Sequence, residues 1–132
     1  MWLYNDLPYE DIGEYVGYVY IITNLSSNKK YIGKKNFYFS KSKIVKGKKK
    51  RFKVESDWKT YYGSNKELVE DVEKLGPDMF RREILALCKS KGEFAYLEAK
   101  YQFDNNVLTS DDYYNGWIMC RIHKKHLTSL KK

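Results

Sequence analysis

The sequence predicts an α+β fold, in which a small three-stranded, mostly antiparallel sheet is flanked by helices. The length of 132 residues fits one domain that spans 1–132. β-Branched and aromatic residues dominate Val16–Thr23, and Phe80–Cys88 contains the short apolar run Ile84–Leu87, so both segments are predicted to be strands. Two serine–glutamate capping patterns each precede an apolar repeat of helical period, which predicts two helices. Helices packed on a short sheet are the expected architecture.

The first strand and its partner form a predicted hairpin. The run 16–23 alternates aromatic and aliphatic side chains, 24–29 has turn composition, and 30–33 is a short second strand. The basic segment that follows is predicted to be an exposed, mobile loop inserted at 35–55. The aromatic segment 58–62 is compatible with one helical turn.

The second half supplies both helices and the third strand. The first helix is predicted to begin at the N-cap residue Ser64 and to end before Gly76. The third strand, 80–88, leads to a second helix that is capped by Ser90 and runs to about Phe103.

Positive charge is concentrated in one segment of the chain. There are 25 basic and 17 acidic residues, a net charge of +8, but Tyr15–Val54 holds 12 basic residues and no acidic one. A solvated loop that aids solubility is one interpretation, and an arm that contacts phosphates is the other. The residues expected to bind nucleic acid are Lys41, Lys43, Lys46, Lys48, Lys49, Lys50, Arg51 and Lys53.

The remaining signals exclude several classes of protein. Cys88 and Cys120 lack zinc-site spacing, and His123 and His126 are interpreted as solvated residues rather than metal ligands. The sequence has no signal-peptide pattern and no apolar run long enough for a membrane span, so we expect a cytoplasmic protein. The tail, 117–132, begins with an apolar run that is either a strand or a docking segment.

Glu98 interrupts the apolar face of the second predicted helix. Phe94, Leu97 and Tyr101 define that face, and Glu98 lies among them. A carboxylate at the edge of the stripe, paired with a lysine, is one interpretation. The other is a ligand for Mg²⁺, which prefers oxygen atoms and needs few carboxylates when phosphates and water complete its shell.

Three tyrosines cluster on the predicted hairpin. Tyr18 and Tyr20 are predicted to point to one face of the first strand, with Tyr31 opposite them on the second. Ordinary cross-strand packing would explain this arrangement. A role with phosphate or in proton transfer would require a neighbouring cation, such as Lys34 or Lys35, or a metal to lower the tyrosine pKa.

These tyrosines carry a family resemblance. Tyr18-Val19-Tyr20, then ten residues, then Tyr31-Ile32-Gly33 resembles the two-part motif of GIY-YIG nucleases. Tyr18 stands where the family has glycine, with Gly17 one place earlier. The second half is also similar, through Tyr61–Ser64, the capped helix and Phe80–Leu85. The resemblance covers roughly Val16–Gly116.

The resemblance implies a Mg²⁺-dependent (or Mn²⁺-dependent) DNA endonuclease, of the small free-standing phage or homing type. It implies that Glu98 holds the metal, that Tyr20 and Tyr31 act on the attacking water, and that Asn115 supports the site. The arginine of the family has no clear counterpart, so Lys35 or Lys59 is expected to replace it. The residues with expected catalytic roles are Tyr20, Tyr31, Lys35, Lys59, Tyr61, Glu98 and Asn115.

Two alternatives use the same features without cleavage. One is a nucleic-acid-binding module built on the same fold, in which Glu98 is structural; the other is an RNA-binding structural protein. For the nuclease, the expected partner is DNA, double-stranded rather than single-stranded, with no membrane and with a homodimer left open. A phage-encoded protein would act in the host cytoplasm.

Overall fold

The computed structural model describes residues 1–121 and 123–130, so Ile122 of the apolar tail lies outside the described part. The class is α+β, as predicted. The strands are β1 Trp2–Tyr4, β2 Leu7–Pro8, β3 Gly17–Asn24, β4 Lys30–Asn36, β5 Tyr38–Val45, β6 Lys48–Glu55 and β7 Phe80–Cys88. The α-helices are α1 Lys66–Leu75 and α2 Lys91–Asp104. Short 3-10 helices span Trp58–Thr60, Pro77–Met79 and Lys124–Leu130.

The main sheet has five strands and is mixed, so the prediction of three mostly antiparallel strands was wrong. Its order is β2-β1-β7-β3-β4, with β1 parallel to β7 and the other neighbours antiparallel. The two extra strands contain only three and two residues, which is too short for a periodic pattern to appear in the sequence. Burial of Trp2, which is 1% exposed, holds β1 in place.

The basic segment forms a second, two-stranded sheet rather than a mobile loop. β5 pairs with β6 antiparallel, from Tyr38 opposite Glu55 to Val45 opposite Lys48. Lys46 and Gly47 connect the strands with φ values of 51° and 76°. This two-residue connection, positive in φ at both positions, matches the twist of paired strands. Because most of the hairpin is exposed, its strands lack the apolar alternation that marks a half-buried strand.

Each face of the main sheet packs against one helix. Tyr18, Tyr20 and Ile22 project to one face and share a core with Leu68 of α1, which confirms that the two tyrosines lie on one side. Val19 belongs to the core on the other face. Residues of β4 and α2, namely Ile32 and Phe94, complete that second core. The helices therefore cover opposite faces of β3 and β4.

The helix boundaries follow the predicted caps with one shift. The N-cap of α1 is Asn65, whose side chain accepts the N–H of Leu68 at 3.0 Å, rather than Ser64. Ser90 caps α2 as predicted. The start of the tail is irregular rather than a strand, and Trp117 is 74% exposed. Within the described ranges, no helix is both long and apolar enough to cross a membrane.

Candidate active site

A cavity of about 300 Å³ lies at the outer edge of β4. Neighbouring side chains on a strand point to opposite faces, so Tyr31 reaches the cavity from the α1 face and Lys34 from the α2 face. Helix α2 and the chain after residue 112 close the remaining sides. The lining residues are Tyr31, Lys34, Glu98, Gln102, Asn115, Trp117 and Met119.

Glu98 is the carboxylate of this cavity. Its side chain is 15% exposed, and the Lys34 ammonium lies 3.9 Å from its Oε1. Burial raises the pKa of Glu98 above its ordinary value, while the charge and the backbone N–H of Lys34 partly offset this effect. The Lys34 ammonium also lies 5.3 Å from the centre of the Phe94 ring. The carboxylate is thus poorly hydrated and has one loose cationic neighbour, which leaves its oxygens able to bind a further cation.

Asn115 acts as an extension of the sheet at the same edge. Its Oδ1 accepts the N–H of Ile32 at 3.1 Å, and its Nδ2 donates to the Ile32 carbonyl at 2.8 Å. The preceding residues run alongside β4, since the Tyr114 N–H donates to the Lys30 carbonyl at 2.7 Å. We call residues 112–115 the edge brace. It satisfies the outer backbone groups of β4 and fixes the strand that carries Tyr31 and Lys34.

Gln102 is a cavity residue that the sequence did not indicate. It lies one helical turn after Glu98 and is 5% exposed, and its Nε2 donates to the Ile32 carbonyl at 2.9 Å. Its Oε1 is buried and accepts no hydrogen bond from any described residue. A buried amide oxygen without a donor is unusual and would gain from a water molecule or a cation.

Tyr20 lies behind Tyr31, away from the cavity surface. The two rings are 6.2 Å apart, and Tyr61 meets Tyr20 edge-on at 5.9 Å. A Cβ atom at Gly33 would lie 2.5 Å from the Tyr20 hydroxyl oxygen, so glycine is required there. Burial raises the pKa of Tyr20 well above 10, and the neighbouring hydroxyls of Tyr61 and Tyr31 raise it further. Burial also raises the pKa of Tyr31, despite its hydrogen bond with Ser64. Both hydroxyls are therefore neutral at physiological pH.

The two lysines expected to replace the family arginine lie elsewhere. Lys35 projects to the α1 face, where its ammonium pairs with Asp57 at 2.6 Å and lies 4.1 Å from the centre of the Tyr61 ring. Lys59 lines a separate cavity beside Trp2. Lys34, which the sequence analysis considered only as a neighbour of the tyrosines, is the lysine beside Glu98.

The loop that carries Tyr61 is held by a buried arginine. The Arg82 guanidinium donates to the carbonyl oxygens of Lys59 at 3.1 Å and Tyr61 at 2.9 Å. It also stacks between Trp2 and Tyr62, at 4.9 and 4.1 Å from the ring centres. Tyr61 is thereby positioned against Tyr20, so that the tyrosines form one rigid group behind the cavity.

The residues present suit a divalent cation with few protein ligands. Within the described ranges, no three His, Cys, Asp or Glu residues cluster as a metal site, so Glu98 would be the single carboxylate. Mg²⁺ commonly takes one or two carboxylates together with water and substrate phosphate oxygens. Gln102 also lines this cavity, and its unsatisfied oxygen, which is buried in the structure, would become a second ligand if the side chain turned toward the cavity. These donors therefore fit a hard cation whose remaining coordination positions are filled by substrate and water.

Tyrosine, lysine and carboxylate side chains at one sheet edge define a site suited to phosphate chemistry. Residues 2–118 match a family described as "Putative endonuclease segE, GIY-YIG domain". The chain belongs to this GIY-YIG endonuclease family, so its domain is of nuclease type. No curated protein and no solved structure matches the chain.

Proposed function

We propose that this protein is a metal-dependent endonuclease that hydrolyses phosphodiester bonds in double-stranded DNA. The single observation that carries the proposal is the cavity at the β4 edge, where Tyr31, Lys34 and Glu98 meet. Membership of the GIY-YIG family supports the reaction class. The metal, the double-stranded substrate and the biological role in homing go beyond that membership.

Glu98 and Gln102 are the residues that would hold Mg²⁺ or Mn²⁺. Glu98 offers a charged oxygen and Gln102 an unsatisfied neutral one, one helical turn apart. When bound, the metal would neutralise charge on the scissile phosphate and stabilise the leaving oxygen. Asn115 would contribute by holding β4 in register against α2, through its two hydrogen bonds to Ile32.

The other cavity residues would orient and stabilise the reacting groups. The Lys34 ammonium, on a side chain that is 41% exposed, can reach a phosphate oxygen and balance the charge that develops in the transition state. Tyr31 would orient the attacking water through its neutral hydroxyl. Tyr20 is more deeply buried than Tyr31, so its expected part is to position Tyr31 and Tyr61 through packing.

The basic hairpin would bind the DNA backbone outside the cavity. Its eight basic residues, Lys41 to Lys53, face solvent, with Glu55 as the one acid in its strands. Clustered cations release counterions from a polyanion and so favour DNA binding at low salt. Lys35 is held by Asp57, and it is better placed to orient Tyr61 than to contact phosphate.

Cleavage of supercoiled plasmid by the purified protein tests the proposal. Wild-type protein is expected to cut with Mg²⁺ or Mn²⁺ and to be inactive with EDTA. Glu98→Gln keeps the side-chain volume but removes the charge, and it should lower the rate at least about 100-fold. Glu67→Ala is the matched control, because it removes an exposed carboxylate that pairs with Lys29 and does not line the cavity.

The alternative function predicts a different set of results. A binding module would shift the plasmid in a gel at low salt but leave it uncut in every metal. Cleavage that is equal in wild type and Glu98→Gln would refute the assignment of Glu98. Circular dichroism of each variant distinguishes a loss of activity in a folded protein from a loss of the fold.

A further inference from the structure

The β5–β6 hairpin is a separate structural unit that projects from a rigid base. Its base is fixed by Phe37 and Trp58, which are fully buried and whose rings are 5.0 Å apart. The Ser56 N–H donates to the Phe37 carbonyl at 2.8 Å and closes the base. Beyond it, the strands have no buried residue, and only Val45 and Val54 are partly covered. Such a ribbon gains little stability from burial, and its exposed side chains are available for contact with another molecule.

The two faces of the hairpin differ in chemistry. Because paired residues project to the same side, the register assigns each side chain to one face. The serine face consists of Tyr38, Ser40, Ser42, Ile44, Lys49, Arg51, Lys53 and Glu55, with Tyr38 and the acidic Glu55 paired at its base. The phenylalanine face consists of Phe39, Lys41, Lys43, Val45, Lys48, Lys50, Phe52 and Val54.

The phenylalanine face is already engaged within the protein. The Lys35 ammonium lies 4.9 Å from the centre of the Phe39 ring, and the Lys43 ammonium lies 5.4 Å from that of Phe52. Lys43 and Lys50 stand directly opposite each other, a like-charge pair that destabilises an isolated hairpin and that a polyanion would relieve. The lysines of the phenylalanine face are suited to contact phosphates. Its two phenylalanine rings lie next to lysine ammonium groups and are therefore poorly placed to stack on bases.

The serine face is exposed along its outer part, while Ser40 and Lys53 near its base line a cavity with Lys91 of α2. Its charge arrangement differs from that of the phenylalanine face. Each of its basic residues stands opposite a smaller uncharged side chain: Lys53 opposite Ser40, Arg51 opposite Ser42, and Lys49 opposite Ile44. Small partners leave room for a long basic side chain to extend away from the ribbon. Arg51 lies near the middle of β6, and its planar guanidinium can donate two parallel hydrogen bonds to guanine O6 and N7.

We infer that the hairpin enters the major groove of B-form DNA, with the serine face toward the base edges and Arg51 as the residue that reads guanine. This inference rests on the proposed DNA substrate and assigns sequence preference to a named surface. The major groove, about 12 Å wide, admits a two-stranded ribbon and presents guanine O6 and N7 to it, whereas the minor groove, about 6 Å wide, presents neither atom. The deep, narrow major groove of A-form RNA excludes such a ribbon.

The chain limits how far the contacted bases lie from the cut. Lys34 and Val45 are 11 positions apart along nearly continuous strand, which spans at most roughly 37 Å at about 3.4 Å per residue. At about 3.4 Å per base pair, the hairpin reads bases within roughly one helical turn, about 11 base pairs, of the cleavage site.

Dimethyl sulfate footprinting tests the groove directly. The full-length Glu98→Gln protein is bound without metal to a 40-bp duplex pool with a randomised centre, and bound molecules are selected and footprinted. The reagent methylates guanine N7 in the major groove and adenine N3 in the minor groove, so each duplex carries its own control. We expect protection of guanine N7 with adenine N3 unchanged. A double-stranded RNA of the same length should compete poorly.

A matched pair of variants tests the face. Arg51→Ala and Arg51→Lys should both lower the preference for guanine at one position by about 5- to 100-fold, since lysine keeps the charge but loses the fork. Lys50→Ala, on the phenylalanine face, should weaken binding to all sequences alike. It should also reduce the slope of log K against log salt by about 0.9.

Three results would overturn the inference: protection of adenine N3 instead of guanine N7, no binding to the duplex pool, or equal effects of Arg51→Ala and Lys50→Ala on every sequence. Because the footprint uses protein that cannot cut, it does not depend on catalysis. Cleavage by wild type without guanine N7 protection refutes the groove inference alone. Protection without any cleavage by wild type refutes the proposed nuclease alone.

Discussion

Replacement of Asn115 by alanine distinguishes a structural role in holding β4 from a direct contact with DNA. In the structure, both polar atoms of its side chain are used by the backbone of Ile32, at 3.1 and 2.8 Å. Asn115 is 8% exposed, so it is a buried part of the edge brace rather than a group free to contact DNA. Asn115→Ala should therefore act first on the stability of the β4 edge.

The magnitude follows from the partners that the substitution leaves behind. The Ile32 carbonyl loses the hydrogen bond from Asn115 but keeps the one from Gln102. Removal of the first bond should therefore cost about 1 kcal/mol. The buried Ile32 N–H loses its acceptor, which costs about 1–3 kcal/mol. The free energy of unfolding should fall by about 2–4 kcal/mol, a large part of the roughly 5–15 kcal/mol of a typical domain. The expected drop in Tm is on the order of 10 °C.

Urea unfolding followed by tryptophan fluorescence, without metal or DNA, measures this change. Asn105→Ala is the matched control, because its exposed amide makes one local hydrogen bond at the end of α2 and should cost less than about 1 kcal/mol. The reasoning is refuted if Asn115→Ala unfolds within about 0.5 kcal/mol of wild type and yet loses cleavage. That outcome would identify Asn115 as a substrate contact.

Three further predictions concern the cavity and the tyrosine motif. Glu98→Gln should raise Tm at pH 7, because burial raises the folded-state pKa of Glu98, so that ionisation of this carboxyl destabilises the wild-type protein as pH rises through and above the ordinary carboxyl pKa. In thermal scans the difference in Tm between variant and wild type should disappear near pH 4. An equal difference at pH 4 and pH 7 would contradict this prediction. In single-turnover assays, Lys34→Ala should lower the cleavage rate about 10- to 1000-fold, whereas Lys59→Ala, which alters a separate cavity, should change it less than about threefold. Equal losses of rate would disprove the assignment of Lys34 as the lysine that stabilises the transition state. Gly33→Ala should destabilise the fold by about 1–3 kcal/mol, since the new Cβ displaces the Tyr20 hydroxyl; unchanged urea unfolding would count against this packing.

The sequence predicted the elements that bury a periodic apolar face. β3, β7 and both helices show such patterns over eight residues or more, and their positions agree with the structure within about two residues. β1 and β2 could not be predicted, because two or three residues show no period. The β5–β6 hairpin was missed for another reason: its alternating lysines and serines bury neither face, so pairing leaves no hydrophobic signal.

The site shows the same division between local pattern and tertiary placement. Glu98 was identified by its position on an apolar helix face, and the structure places it in one cavity with Tyr31 and Asn115. Whether Lys34 or Lys35 lies beside Glu98 depends on which face of β4 packs against α2. A one-residue shift in the register of β4 would exchange the faces of these two lysines, and the sequence does not fix that register. Gln102 looks like any polar helix residue until the structure shows that its oxygen has no donor among the described residues.

The edge brace also limits how two copies of the protein could cooperate. It occupies the outer side of β4 at Lys30 and Ile32, and the opposite end of the main sheet is a two-residue strand that contains Pro8. Neither edge offers a free row of backbone groups, so two sheets cannot merge through the strand that carries the site. A single copy has one such cavity among its described residues, so the proposed nuclease would sever one strand per encounter. Open-circular plasmid should therefore accumulate before the linear form, and the second cut should depend on protein concentration.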